Sequence, residues 1–154
     1  MVDVSLKPIT EREATASAIV HIQRAVLDRL FAGSLPKGDA LATARIAGIQ
    51  AAKRTGEWIP MCHALSLDWV RIEFARQARE ELRIVCTAKT QARTGVEIEA
   101  LVGACAAALT IYDMVKSADK GAIIGPVRLE YKRGGKSGTF QAQKTQKGKG
   151  RTEP

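Results

Sequence analysis

Apolar residues along the chain recur first at helical spacing and later at the two-residue spacing of strands. Val2 to Ser5 alternates and predicts a short strand. Thr10-Glu11-Arg12-Glu13 has the form of a capping box and predicts a helix reaching about Phe31. Ile19, Ile22, Gln23, Val26, Leu27 and Leu30 mostly keep one apolar face, with Arg12, Arg24 and Arg29 off it. Gly33 and Pro36 end that helix, and Asp39 is placed to cap a second over residues 40–54, with Ile46 and Ile49 turned to the core.

Leu65 to Phe74 alternates with one break in phase, which predicts a strand with a bulge. Leu82, Ile84 and Cys86 alternate with Arg83, Val85 and Thr87 in a second strand, and Gln77-Ala78-Arg79-Glu80 suits the hairpin loop between them. Thr94-Gly95-Val96-Glu97 is another capping-box pattern, opening a helix that continues to about Ser117. Ile98, Leu101, Val102, Cys105, Leu109 and Tyr112 form its expected core stripe. Glu99, Gly103, Ala106, Thr110, Asp113 and Ser117 form a separate row, small or polar, against which another helix or another subunit can pack closely. Ile123 to Tyr131 predicts a further strand, with Pro126 marking an edge or a bulge. The order helix, helix, strand, strand, helix, strand predicts an α+β domain, a mainly antiparallel sheet with helices on one face.

The 154 residues suit one domain with a core that needs neither disulfides nor a structural metal. No apolar run is read as a membrane span, and the start Met1-Val2-Asp3-Val4 lacks the pattern of a signal peptide, so the expected location is cytoplasmic with no membrane partner. Cys62, Cys86 and Cys105 show no C-x-x-C spacing and are expected as reduced thiols, Cys86 and Cys105 as small core residues. The net charge of +8 is concentrated at one end: residues 132–154 carry a net +6, leaving +2 for the rest. That distribution argues weakly for nucleic-acid binding by the body of the domain. Residues 1–138 form the expected domain, and residues 139–154 a basic tail with too little apolar surface to order, at least over its last dozen residues.

Asp113 and Lys116 lie three residues apart on the predicted helix, within reach of each other. Such a pair is either a solvated surface contact or a carboxylate and amine that tune each other for proton transfer, and spacing alone favours the first. Glu99 shares their row, but fourteen helical residues separate it from Asp113 by roughly 21 Å, so one small ligand meets both only if two subunits share a site. Lys37, Arg45, Lys53 and Arg54 on or beside the second helix offer either a phosphate-binding face or ordinary solvated charge. Gly134-Gly135-Lys136-Ser137-Gly138 lacks the spacing of a P-loop and reads as a turn or an anion-contacting loop.

Several segments taken in order carry more than any of them alone. These are Lys37-Gly38-Asp39 with Ala42-Thr43-Ala44-Arg45-Ile46-Ala47-Gly48-Ile49-Gln50-Ala51-Ala52-Lys53-Arg54-Thr55, then Ile59-Pro60-Met61-Cys62-His63, then Thr94-Gly95-Val96-Glu97-Ile98-Glu99-Ala100-Leu101, and last Leu109-Thr110-Ile111-Tyr112-Asp113-Met114 with Ile124-Gly125-Pro126-Val127-Arg128-Leu129. Together they resemble the molybdenum cofactor biosynthesis protein C family, over about Val2 to Gly138. The resemblance implies a ferredoxin-like α+β fold and a hexamer built as a trimer of dimers, with the site between subunits. It also implies conversion of 3′,8-cyclo-7,8-dihydroguanosine triphosphate to cyclic pyranopterin monophosphate, with release of pyrophosphate. By motif, Asp113 and Lys116 are then the acid/base pair, and Lys37, Lys132 and Arg12 contact phosphate or substrate. Met61, Cys62 and His63, and Glu97, Ile98 and Glu99, correspond to substrate-binding segments. No protein-borne metal site or cofactor is implied, although Mg²⁺ can accompany the substrate triphosphate. Ala64 stands where the family commonly has proline and Met61 where it has leucine; neither change removes a reactive group. A non-catalytic anion- or RNA-binding module is the competing reading, resting on the basic tail.

Overall fold

The computed structural model of the protein describes residues 1–143. In chain order the elements are β1 (Thr10–His21), α1 (Arg24–Phe31), α2 (Ala40–Lys53), α3 (Thr55–Trp58), β2 (Trp69–Ala78), β3 (Glu81–Ala92), α4 (Glu97–Val115), β4 (Ile123–Arg133) and β5 (Phe140–Gln141). The strands form one antiparallel sheet in the order β2-β3-β1-β4-β5. Helix α4 lies across β1, β3 and β4, and α2 packs on α4 and β2, giving the ferredoxin-like α+β arrangement with helices on one face.

The largest departure from the sequence reading is the segment from Thr10 to His21, expected as helix and found as the central strand β1. Ala14, Ala16, Ala18 and Val20 are fully buried on the helix side, while Glu13, Thr15 and Ile19 alternate with them on the other face. The residues of the expected capping box pair across the sheet instead: Thr10 lies opposite Ala92 and Glu13 opposite Lys89. Helical spacing survives only in α1, where Val26, Leu27 and Leu30 are buried. Alanine favours helices intrinsically, but a strand flanked by two partners gains a ladder on each side, and that tertiary gain outweighs local propensity.

Val2 to Ser5 is not a strand; Asp3 accepts from the Ser5 amide and Lys7 donates to the Val4 carbonyl, making a turn. β2 begins at Trp69, where the expected bulge sat, and Leu65 and Leu67 pack half-buried against the core before it. β3 runs to Ala92, longer than its apolar alternation indicated. The irregularity around Pro126 is present, because the four residues from Ile124 to Val127 of β4 lie opposite only three of β1, Ala18 to Val20. The two residues of β5 pair with β4 beyond residue 138, so ordered structure extends past the expected domain boundary. The expectation of a disordered tail falls, apart from Gln143, outside the described residues.

Asp39 caps α2 as expected, its carboxylate accepting from the Ala42 amide at 2.9 Å. Ile46, however, is exposed, and the buried face is Ala40, Ala44, Gly48, Ala51 and Ala52. In α4 the expected core stripe is also displaced. Ile98 and Leu109 are exposed and Leu101, Cys105 and Tyr112 only partly covered, whereas Ala100, Ala104, Ala107, Ala108, Ile111 and Val115 reach full burial. No side chain caps its first turn, and Thr94 Oγ1 is buried without a partner among the described residues. By length and composition α4 could cross a membrane, which its sequence reading did not anticipate; most of its apolar stretch is instead buried inside the domain.

The small row of α4 meets α2. A Cβ on Gly48 would stand 2.8 Å from the Gly103 carbonyl oxygen, so the two backbones touch where both residues lack side chains. Gly48→Ala is therefore expected to destabilise the fold by ~1–3 kcal/mol, since the obstacle is backbone and cannot rotate away. Urea denaturation would register this as a lower midpoint at unchanged slope.

Candidate active site

The sequence-selected polar residues gather at opposite ends of α4. At its C-terminal end, Lys37, carried in the turn between α1 and α2, donates to Asp113 Oδ2 at 2.8 Å and to the Asp113 carbonyl at 2.9 Å. Lys116 approaches Oδ1 at 2.7 Å, so each carboxylate oxygen holds one ammonium group. The hydrogen bond from Lys116, then that from Lys37, holds the Asp113 carboxyl down at about 2, and Asp113 in turn raises Lys116. About half of each of the Asp113 and Lys116 side chains is open to solvent, so this cluster is a surface clamp with net charge +1. Sequence spacing identified the Asp113–Lys116 pair; that Lys37 is its third member was not readable from spacing.

The second cluster surrounds the first turn of α4. Cys62 Sγ donates to Glu99 Oε1 at 3.7 Å, and His63 Nε2 lies 3.0 Å from the Val2 carbonyl. Glu99 is only 2% exposed, and its Oε2 has no partner among the described residues. Burial pushes the Glu99 carboxyl upward, and burial followed by the charge of Glu99 pushes up the Cys62 thiol. Met61 is exposed and Ile98 borderline, both at the surface beside this group.

Glu97, two residues before Glu99, pairs with Lys132 of β4 at 3.0 Å, and Lys132 also donates to Ser137 Oγ at 2.8 Å. Arg12 donates through Nε and Nη2 to the carbonyls of Ala92 and Arg93. Gly135 has φ +72°, and a Cβ there would overlap Arg12 Nη1, so the glycine turn closes directly over the guanidinium. Arg12, the Lys132–Glu97 pair and this turn therefore lie together at one corner.

The four cations expected as one face on α2 do not stay together. Lys37 joins Asp113, and Arg45 donates to the Ile72 carbonyl while lying 5.4 Å over the Phe74 ring. Lys53 and Arg54 line a cavity of about 250 Å³ with Thr55, Glu57, Leu65 and Glu99. The Glu99 end thus gains two cations that sequence spacing could not distinguish from solvated charge. Because α4 is an unbroken helix from Glu97 to Val115, the two clusters lie roughly 21 Å apart in one chain. Among the described residues no group of three or more His, Cys, Asp or Glu side chains is placed to hold a metal ion.

The chain is thus a ferredoxin-like α+β domain with an ammonium-clamped carboxylate at one end of its core helix and a buried carboxyl beside cationic side chains at the other. Residues 1–135 match the MoaC family, and the chain belongs to that family. It is 56% identical over 142 residues to a protein of Herpetosiphon aurantiacus named cyclic pyranopterin monophosphate synthase, covering 92% of this chain and 87% of that protein. A Halalkalibacterium halodurans protein of the same name is 49% identical over 150 residues, covering 96% and 91% respectively.

Glu99 makes a stability prediction with a definite sign. A carboxyl whose folded-state pKa is raised ionises first in the unfolded chain, so folding stability falls as pH rises from the unfolded value through the folded one. Glu99→Gln removes that penalty. The variant should melt at a higher temperature than wild type at neutral pH, with the gap closing on acidification towards about pH 4, where the unfolded carboxyl protonates. Calorimetric melts across that range check it.

Proposed function

We propose that this chain is a cyclic pyranopterin monophosphate synthase, converting 3′,8-cyclo-7,8-dihydroguanosine 5′-triphosphate to the cyclic monophosphate and pyrophosphate, early in molybdenum cofactor biosynthesis. The observation that carries the reading is 56% and 49% identity over nearly the whole chain to two relatives of that name; the pairing of Asp113 with Lys37 and Lys116, and of Glu99 with Cys62, supports it. The enzyme works as a homohexamer, a trimer of dimers, in which the Asp113 end of one subunit and the Glu99 end of another face a common substrate. The separation of the clusters along α4 supports that arrangement, since no single chain brings them together.

Closing a cyclic phosphate makes a new P–O bond to the α-phosphorus and breaks the bond to the β-phosphate. The attacking hydroxyl must lose its proton, and the departing pyrophosphate must have its charge met. Arg12, Lys132, Lys37 and Lys116 supply cations for the phosphates, while Met61, Cys62, His63, Glu97, Ile98 and Glu99 hold the heterocycle.

At rest Asp113 is too acidic to act as a base, because two ammonium groups share its oxygens. When phosphate oxygens draw Lys37 and Lys116 towards the substrate, the carboxylate loses both stabilising contacts and rises into a range where it accepts protons, with Lys116 as the matching acid. No cofactor is required of the protein, and any Mg²⁺ would be held by the substrate's phosphates, because Asp113 at the clamp is already paired with two lysines. The location is cytoplasmic, and neither nucleic acid nor membrane is a partner.

Incubation with the cyclic triphosphate substrate, following pyrophosphate and the fluorescent pterin formed on oxidation, tests the reading; absence of both products from folded protein would overturn it. Asp113→Ala should reduce turnover by a factor of at least about 100, the usual range for a positioned acid or base, with the oligomer intact on size exclusion. Full activity would remove the assigned role. Truncation after Gln143, which spares β5, should leave turnover unchanged, whereas the RNA-binding alternative requires it to abolish salt-dependent nucleic-acid affinity.

A further inference from the structure

The two edges of the sheet are finished differently. Beyond β4 the sheet ends in the two residues of β5, whereas the opposite edge is β2, ten residues long, with no proline and with no strand paired outside it among the described residues. An open edge of that length is a template for another strand unless something covers it. Among the described residues the Arg45 guanidinium reaches over this edge, donating to the Ile72 carbonyl at 3.3 Å. That contact also shows that Ile72 turns its carbonyl away from β3. In an antiparallel strand the N–H and C=O of one residue point the same way, so Val70, Ile72 and Phe74 present their hydrogen-bonding groups outward.

We infer that β2 is a self-complementary docking edge, pairing antiparallel with β2 of a second copy about a two-fold axis at Ile72 and joining the two sheets into one. Pairing about Ile72 sets Arg71 opposite the second copy's Glu73, and Glu73 opposite the second copy's Arg71. It also sets half-buried Val70 against Phe74, and the large Trp69 against the small Ala75. Within one chain Arg71 and Glu73 already bond at 2.8 Å with more than half of each side chain exposed, so both remain available to a cross-strand partner. The same residues favour this register over the two adjacent ones. Moving the axis to Arg71 or Glu73 would place two like charges face to face, and would turn the outward-pointing groups out of alignment.

This inference specifies one contact of the oligomer proposed above and does not depend on the chemistry assigned there. In the proposed register Arg71 and Glu73 form non-hydrogen-bonded pairs, whose Cα atoms lie about 4.5 Å apart. Arg71→Cys and Glu73→Cys chains, purified separately and mixed under mild oxidation, should give a disulfide-linked dimer well above the background of wild type or of either variant alone. The charge-reversed variants Arg71→Glu and Glu73→Arg should each weaken self-association by roughly tenfold. An equimolar mixture of those two should restore it, because the acidic positions of one chain then face the basic positions of the other. Sedimentation velocity reads this out, and loss of the intrachain ion pair alone could not produce recovery on mixing.

A mixture that neither cross-links nor recovers association overturns the pairing. Pyrophosphate release by the wild-type chain is scored separately. Turnover without cross-linking rejects the edge and keeps the synthase reading, and cross-linking without turnover does the reverse.

Discussion

The close approach of α4 to the middle of the sheet governs the rest of the fold. Ala14, Ala16 and Ala18 of β1 face Ala100, Ala104, Ala107 and Ala108 of α4 in one continuous core, so helix and sheet meet through methyl groups. Small side chains on both surfaces bring more backbone into contact, and any larger residue there must displace the helix, because packed interiors leave no spare volume. The glycine contact between α2 and α4 extends the same constraint to the second helix. With α4 fixed on two sides, its ends are fixed too, and both polar clusters are mounted on those ends.

This alanine layer also explains what the sequence hid. A strand whose buried face is Ala14, Ala16 and Ala18, with a large residue only at Val20, lacks the run of large inward residues that normally marks a strand. Its partners lie far along the chain, so nothing local identified it. In α4 and α2 the same scarcity of large core residues made exposed Ile98, Leu109 and Ile46 stand out as the apparent core face. Where large side chains do face inward, as at Val26, Leu27 and Leu30 of α1 and Leu82 and Ile84 of β3, periodicity gave the right element type there but not where α1 begins or β3 ends. The ferredoxin-like architecture was legible through the ordered motifs, which record a whole fold, and not through the local pattern at β1.

Legibility of the site followed a similar division. Spacing placed Asp113 with Lys116 because both lie on one helix. Contacts across elements were invisible to spacing: Lys37 with Asp113, Cys62 with Glu99, Glu97 with Lys132. Motifs nominated these residues without saying how they meet. The structure adds that their electrostatic settings are opposed. Asp113 is exposed and held strongly acidic by cations, whereas Glu99 is buried and held weakly acidic by desolvation. Two carboxyls on one helix are thus pushed in opposite directions by their surroundings.

If both clusters serve one substrate, as proposed, the rigidity of α4 calls for a second subunit. A helix bonded along its length cannot shorten, so its two ends never converge on one small molecule within a chain. A second copy can bring the complementary end, provided its orientation is fixed accurately enough to align a nucleophile with a phosphorus atom. Flexible surface contacts would not supply that accuracy. Strand pairing would, because hydrogen bonds repeated along an edge define position and direction together, and in the register inferred above Arg71 and Glu73 of each copy meet their opposites. An edge fixed in that way would transmit its geometry through β3 and β1 to α4, since each of these elements packs directly on the next.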